Sequence, residues 1–148
     1  MGNLSPSQRA GIVGVIDPQS ASTAKSTGWI DATTFHSYLA TLQVGALGAS
    51  ATVDAKLQQA TDNTGTGVKD VTGKSITQLT KAGTDDNKQV EINLRQEELD
   101  FNNGFKFFRL TITPATAASL ISAIVQGFDT RYGLASDNDA TTVDEIVV

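Results

Sequence analysis

The chain has 148 residues, among them 16 acidic and 11 basic side chains and no cysteine. This length allows one domain with a hydrophobic core, and the lack of cysteine excludes disulfides, thiol nucleophiles and cysteine-ligated metals. The net charge of −5 disfavours nucleic acid as a partner, and no apolar run reaches the roughly 20 residues that cross a bilayer, so we expect no membrane partner either.

Strands are predicted through the N-terminal half of the chain. Residues 1–11 are predicted to form an arm, and a short apolar run follows at Ile12–Ile16. From Phe35 to Ala46, apolar side chains fall on one side and polar ones on the other, as in a strand with one wet face. The clearest alternation spans residues 51–58 and places these side chains on two faces: Val53, Ala55 and Leu57 against Asp54, Lys56 and Gln58.

The C-terminal half continues this pattern, with one ambiguous segment. Val90–Arg95 and Phe105–Thr113 alternate as strands do, and Gln96–Asp100 is predicted to form one helical turn. In Ala117–Phe128 both alternating sets are apolar, which fits a buried strand or a short helix. We favour a strand because Ile, Val and Phe are frequent there.

These elements predict an all-β fold, an antiparallel β-sandwich or a jelly-roll-like barrel with at most one short helix. Short strands separated by Gly, Asn and Asp turns are typical of that class. The predicted organisation is an N-terminal arm at residues 1–11, a β-sandwich domain at residues 12–134 and an extended acidic C-terminal tail at residues 135–148.

No group of residues in the sequence forms a convincing catalytic or metal site. His36 is the only histidine, and no Gly-x-Ser-x-Gly motif accompanies it. Adjacent carboxylates at Glu97 and Glu98 point to different faces of a turn and cannot flank a glycosidic bond. The acidic segments Asp62–Gly67 and Ser136–Asp139 lack the spacing of a calcium loop and are predicted to be turns. We therefore predict no catalytic residues, no bound metal and no cofactor.

The single tryptophan, Trp29, has two interpretations. One indole beside a glycine at the start of a strand is typical of an anchor at the edge of a core. The alternative is a carbohydrate-binding surface, which requires Trp29 to be accessible next to Tyr38 or Tyr132 in a concave face.

Five segments together suggest a family: Gly28–Asp31, Val53–Asp62, Glu97–Asp100, Phe108–Thr113 and Gly127–Gly133. With them, most of the chain resembles small structural proteins encoded among the head genes of tailed bacteriophages. The resemblance implies a non-enzymatic virion structural protein of the capsid decoration or cement type. Such a protein, assembled in the host cytoplasm, binds the outside of the capsid. The implied partners are the major capsid protein and further copies of the chain itself, for example in a trimer.

Partner contacts are expected at the two ends of the chain and at the tryptophan. Extended ends can add a strand to the sheet of a neighbouring molecule. The expected contact residues are Leu4, Arg9, Trp29, Ile146, Val147 and Val148. The alternative function is a carbohydrate- or receptor-binding β-sandwich module of a phage tail, and the sequence leaves open whether the protein belongs to head or tail.

Overall fold

The computed structural model describes residues 2–148, so Met1 of the predicted arm lies outside the described residues. Within them, one α-helix, α1, spans Pro6–Arg9, and short 3-10 helices span Gln96–Glu98, Phe101–Asn103 and Ala135–Asn138. The remaining regular structure is ten strands: β1 Ala10–Ala21, β2 Lys25–Ser26, β3 Ile30–Asp31, β4 Phe35–Val44, β5 Thr52–Ala60, β6 Lys69–Ser75, β7 Leu79–Thr80, β8 Gln89–Arg95, β9 Phe107–Ala115 and β10 Ser119–Thr130.

The strands form two antiparallel sheets that face each other. The first sheet has the order β1-β10-β4-β8, and the second has the order β2-β9-β5-β6, with β3 beside β9 and β7 beside β5. The chain passes repeatedly between the two sheets, so strands that follow one another often lie in opposite layers. Apart from the two-residue strands β3 and β7 in the second sheet, this interleaved order of four strands in each layer is the jelly-roll arrangement. The predicted fold class, an antiparallel sandwich of jelly-roll type, is confirmed.

The core lies between the sheets and contains the side chains that the alternation predicts. In β5, Val53, Ala55 and Leu57 are at most 3% exposed, and in β9, Phe108 and Leu110 are fully buried. Their neighbours along each strand point outward, because successive side chains of a strand alternate between faces. The inward faces of both sheets thus supply the core.

β10 explains why residues 117–128 were ambiguous in the sequence. This strand lies in the middle of the first sheet, between β1 and β4, and the favoured strand interpretation is correct. Its inward side chains Ile121 and Val125 are buried, while Leu120, on the opposite face, is 48% exposed. A strand with apolar residues on both faces has no period-2 signal.

One helical feature lies where the sequence predicts it, and a second, α1, was not predicted. The predicted turn at Gln96–Asp100 begins with a 3-10 helix at Gln96–Glu98. α1, the one α-helix among residues 2–148, lies inside the segment predicted as an arm, and β1 begins directly after it at Ala10. No helix in the described part of the chain is long and apolar enough to cross a membrane.

Candidate partner-binding surfaces

The N-terminal segment is held by a short capped helix. The Ser5 backbone N–H donates to Oε1 of Gln8 at 2.9 Å, and Pro6 occupies the first turn, where its missing N–H costs nothing. None of the four helical residues is buried. α1 therefore presents Arg9 to solvent, and Leu4, just before it, is 38% exposed.

The C-terminal segment closes the outer edge of β1. The backbone N–H of Ile12 donates to Oδ1 of Asp139 at 2.7 Å, and the N–H of Ala140 donates to the Ile12 carbonyl at 2.6 Å. Gly11 allows this close approach, since a Cβ there would lie 2.5 Å from the Ala135 carbonyl oxygen. These bonds satisfy edge groups that would otherwise be free to pair with another chain.

The two chain ends consequently meet in a groove of about 330 Å³, which we call the terminal groove. Its lining includes Pro6, Ala10, Ile12, Gln126, Val143 and Ile146. Beyond Val143 the backbone makes no hydrogen bond with any other described residue. Ile146 is 42% exposed, and Val147 and Val148 are almost entirely exposed. The structure thus brings the predicted N-terminal and C-terminal contact segments to one side of the molecule.

Trp29 lies apart from both ends, beside the second sheet. The guanidinium carbon of Arg109 is 4.6 Å from the centre of the indole ring, an arrangement typical of a cation–π contact. Gly65 lies close to the indole, since a Cβ at this glycine would be 3.0 Å from its Nε1 and Cζ2 atoms. Trp29 is therefore half-buried and already in contact with its own chain.

Of the two tyrosines that could form a sugar-binding surface with Trp29, one is buried in the core. Tyr38 is 2% exposed, and its ring packs edge-on against Phe35 and Phe108, with ring centres 5.7 and 4.7 Å away. Burial is the main reason why the pKa of Tyr38 is raised. Tyr132, in contrast, is 87% exposed. A platform of Trp29 with Tyr38 does not form.

A polar network covers the outer face of the second sheet and was not predicted from the sequence. Oε1 of Gln58 accepts two hydrogen bonds from Arg109, at 3.1 and 3.0 Å, and one from Thr111. The Gln58 amide nitrogen donates to Asp70, which also pairs with Lys56 at 2.9 Å. The alternation places each of these side chains outward, but only the pairing of β5 with β9 makes Gln58 and Arg109 neighbours.

The first acidic segment is a turn, as predicted, whereas the second, Ser136–Asp139, lies mainly in the 3-10 helix Ala135–Asn138 and is not the predicted turn. Oδ1 of Asp62 accepts hydrogen bonds from the backbone N–H groups of Thr64 and Thr66, at 2.9 and 3.0 Å. Hydrogen bonds from Thr66 first, and then from Thr64, hold the pKa of Asp62 well below its usual value. In the second segment Oδ2 of Asp137 accepts from the Leu134 N–H. Residues 2–148 contain no cluster of three potential metal-binding His, Cys, Asp or Glu side chains.

Comparisons with known proteins find similarity only to the overall fold of solved structures. No family model matches the chain, and no curated protein gives a significant match. Among solved structures, a Cowpea Mosaic Virus empty virus-like particle matches with a TM-score of 0.47 and 11% identity over 91% of this chain and 88% of that one. Broad Bean Stain Virus matches with the same TM-score and identity over 100% of this chain and 98% of that one.

Proposed function

We propose that this chain is a non-enzymatic structural protein of a virus particle, and more narrowly a capsid decoration protein of the cement type. The jelly-roll order of the strands is compatible with this role, since shell proteins of viruses are among the proteins that use this fold. The sequence resemblance to head-gene proteins of tailed phages supports the narrower proposal. The proposed site of action is the exterior of the assembled capsid.

The observation that carries the proposal is the exposed apolar segment Ile146–Val148 beside the terminal groove. The side chains of Val147 and Val148 are almost entirely exposed, Ile146 is 42% exposed, and the backbone of the three residues makes no hydrogen bond with the rest of the described chain. Such a segment favours an extended conformation and can add to a sheet edge of a partner. Leu4 and Arg9, on the N-terminal side, offer further contacts to the same partner.

The proposed partners are the major capsid protein and further copies of this chain. A single copy gains only its own contacts with the shell. Copies that also bind each other raise the effective concentration at every further site, so modest interfaces together give strong attachment. This is how a domain of 15.5 kDa can reinforce a shell.

The experiment compares binding of three proteins to undecorated capsids. In the test variant Ile146, Val147 and Val148 are all replaced by Ser, which keeps the chain length, and in the control Val68→Ser alters an apolar side chain that is 45% exposed elsewhere. Burial of one valine is worth roughly 1.5–3 kcal/mol, so we expect the test variant to bind about tenfold more weakly or worse. The control is expected to bind like the intact chain.

Two readouts decide the result: copies bound per capsid and the temperature at which the capsid breaks. Full occupancy and undiminished capsid stability with the triple Ser variant would refute the role of the C-terminal segment. If the intact chain does not bind, the proposed capsid-binding role is refuted. In that case the tail module would be tested with glycans, following the fluorescence of Trp29, the single tryptophan.

A further inference from the structure

β8 is the last strand of the first sheet, and one of its two edges has no partner strand. Among the strands of the described chain it pairs with β4 alone. In an antiparallel pair, alternate residues turn their backbone groups toward the partner. The N–H of Val44 donates to the Lys88 carbonyl at 2.9 Å, so Lys88 and then every second residue of β8 face β4. The backbone groups of the remaining residues point at the free edge: Gln89, Glu91, Asn93 and Arg95.

Glu98 occupies this free edge at one place. Its Oε2 accepts a hydrogen bond from the backbone N–H of Arg95 at 2.8 Å, and its Oε1 pairs with Nζ of Lys74 at 3.0 Å. Lys74 belongs to β6, the last strand of the second sheet, so the carboxylate joins the end strands of the two sheets. The same Arg95 bond caps the 3-10 helix Gln96–Glu98. The Arg95 N–H is therefore not free to bond with another chain.

The rest of the free edge lies beside an open groove of about 440 Å³. The groove separates β8 from residues 73–79, and its lining includes Val90 and Ile92. The backbone N–H groups of Glu91 and Asn93 have no acceptor elsewhere in the described chain. An edge with unpaired backbone groups is a template for a further strand.

The charges along this edge select a second copy of β8 as the strand that fits it. Glu91 and Arg95 are both exposed, and neither forms a salt bridge within residues 2–148. When two β8 strands pair antiparallel about Asn93, Glu91 of each copy lies opposite Arg95 of the other. Opposite charges in such positions stabilise a strand pair, and like charges destabilise it.

The other charged groups near the edge do not oppose this pairing. Lys74 and Glu98 neutralise each other at 3.0 Å. Asp129 lines the same surface cavity as Arg95, but it belongs to β10, which β4 separates from β8. There its Oδ2 accepts a hydrogen bond from Ser37 Oγ at 3.3 Å. Asp129 thus lies on the side of Arg95 that faces away from a second copy.

The other registers with a long overlap are disfavoured. Pairing centred on Glu91 sets the two Glu91 carboxylates opposite each other. Pairing centred on Ile92 sets Gln89 opposite Arg95 and, like the register centred on Asn93, needs the Arg95 N–H as a donor. Glu98 holds that N–H and fills the space beside it, so it blocks both of these registers. Charged side chains are a common protection of free sheet edges.

We propose that Glu98 keeps β8 closed to a second copy of this chain, and that without its side chain two copies pair antiparallel about Asn93. The first sheets of the two copies then continue into each other across a two-fold axis, through the same surface on both. The inference goes beyond the proposed function, because it concerns the free chain and holds whether or not the chain binds a capsid. It also implies that the self-association proposed for capsid-bound copies uses surfaces other than β8.

Cysteine cross-linking detects this pairing directly, because the chain has no cysteine of its own. Asn93→Cys places a thiol of each copy at the centre of the pairing, where opposite Cα atoms lie about 5.5 Å apart, within the span of a disulfide. We expect Glu98→Ala, added to Asn93→Cys, to speed formation of the cross-linked dimer under mild oxidation at least about tenfold, since the freed edge gains backbone hydrogen bonds.

Matched controls separate the edge from other effects. Glu97→Ala removes the neighbouring exposed carboxylate, which accepts no hydrogen bond from the edge, and is expected to leave the cross-linking rate unchanged. Gln89→Cys in place of Asn93→Cys puts an equally exposed thiol away from the two-fold axis. It is expected to cross-link slowly even with Glu98→Ala.

Charge reversal tests the register. With Asn93→Cys and Glu98→Ala in place, Arg95→Glu sets like charges opposite each other and is expected to return the rate to that of the closed chain. Adding Glu91→Arg restores opposite charges and is expected to restore the fast rate. Melting curves show whether each variant is folded. Glu98→Ser, whose side chain is too short to reach the Arg95 N–H, repeats the test if Glu98→Ala folds poorly.

The outcomes decide this inference without touching the proposed function. An unchanged rate in the folded Glu98 variants, an equal rise with Glu97→Ala, or a fast rate that survives Arg95→Glu would each overturn the closed edge. Ile146–Val148 is intact in every one of these variants, and its capsid binding is measured separately. Failure of either proposal therefore leaves the other standing.

Discussion

Replacement of Leu57 by alanine tests the central packing of the sandwich. Leu57 is 1% exposed in the middle of β5 and lies directly opposite Leu110, which is fully buried. Leu→Ala changes at buried sites cost about 2–5 kcal/mol, and the cost is highest where the surroundings cannot collapse into the cavity. Here β9 pairs with β5 along its whole length, whereas the pairing with β6 is interrupted opposite Leu57, so we expect a loss near the middle of that range.

The measurement is the free energy of unfolding from denaturant titration, together with the melting temperature. At about 2–4 °C per kcal/mol for a chain of this size, a fall on the order of 10 °C is expected. Leu120→Ala is the matched control, since the same atoms leave a side chain that is 48% exposed, and it should cost less than about 1 kcal/mol. A loss below about 0.5 kcal/mol for Leu57→Ala would refute the inward register of β5.

Three further predictions concern metal, pH and the C-terminal segment. EDTA should leave the melting temperature unchanged, and a fall of several degrees that calcium reverses would contradict the prediction that the two acidic segments bind no metal. Because the pKa of Asp62 is lowered in the folded state, its carboxylate stabilises the turn fully above the unfolded pKa of about 3.8 and loses this effect as the pH falls. The melting temperatures of Asp62→Asn and of the intact chain should therefore converge in acid. An equal difference in melting temperature at all pH values would argue against a stabilising role of the Asp62 carboxylate. A chain ending at Ala140 should melt like the intact protein, whereas one ending at Leu134 should melt lower, since Ala135 is fully buried and the Asp139 bond to Ile12 is lost.

The sequence predicts those strands that have one face in the core and the other in solvent. β5 and β9 each have one face in the core and one in solvent, so their polar and apolar residues alternate. The pattern of one strand does not say which strand lies beside it. For that reason the Arg109–Gln58 contact was missed, although Gln58 was correctly expected to face outward.

Local sequence signals can mark the start of a helix, but they do not show which distant residues pack together. Ser5, Pro6 and Gln8 have the spacing of a capped helix start, yet α1 buries no residue and so shows no apolar periodicity. Trp29 was expected as an anchor at the edge of the core, and it contacts Arg109 and the loop at Gly65. Both contacts join residues far apart in the sequence, which no local pattern encodes.

The outer face of β10 connects fold to function. A central strand needs one apolar face for the core, and in β10 Ile121 and Val125 supply it. The opposite face carries Leu120, which is 48% exposed. The chain ends lie beside Gln126 and leave the Leu120 end of the strand uncovered. The capsid contact proposed for Ile146–Val148 therefore lies beside Gln126, on the outward face of β10.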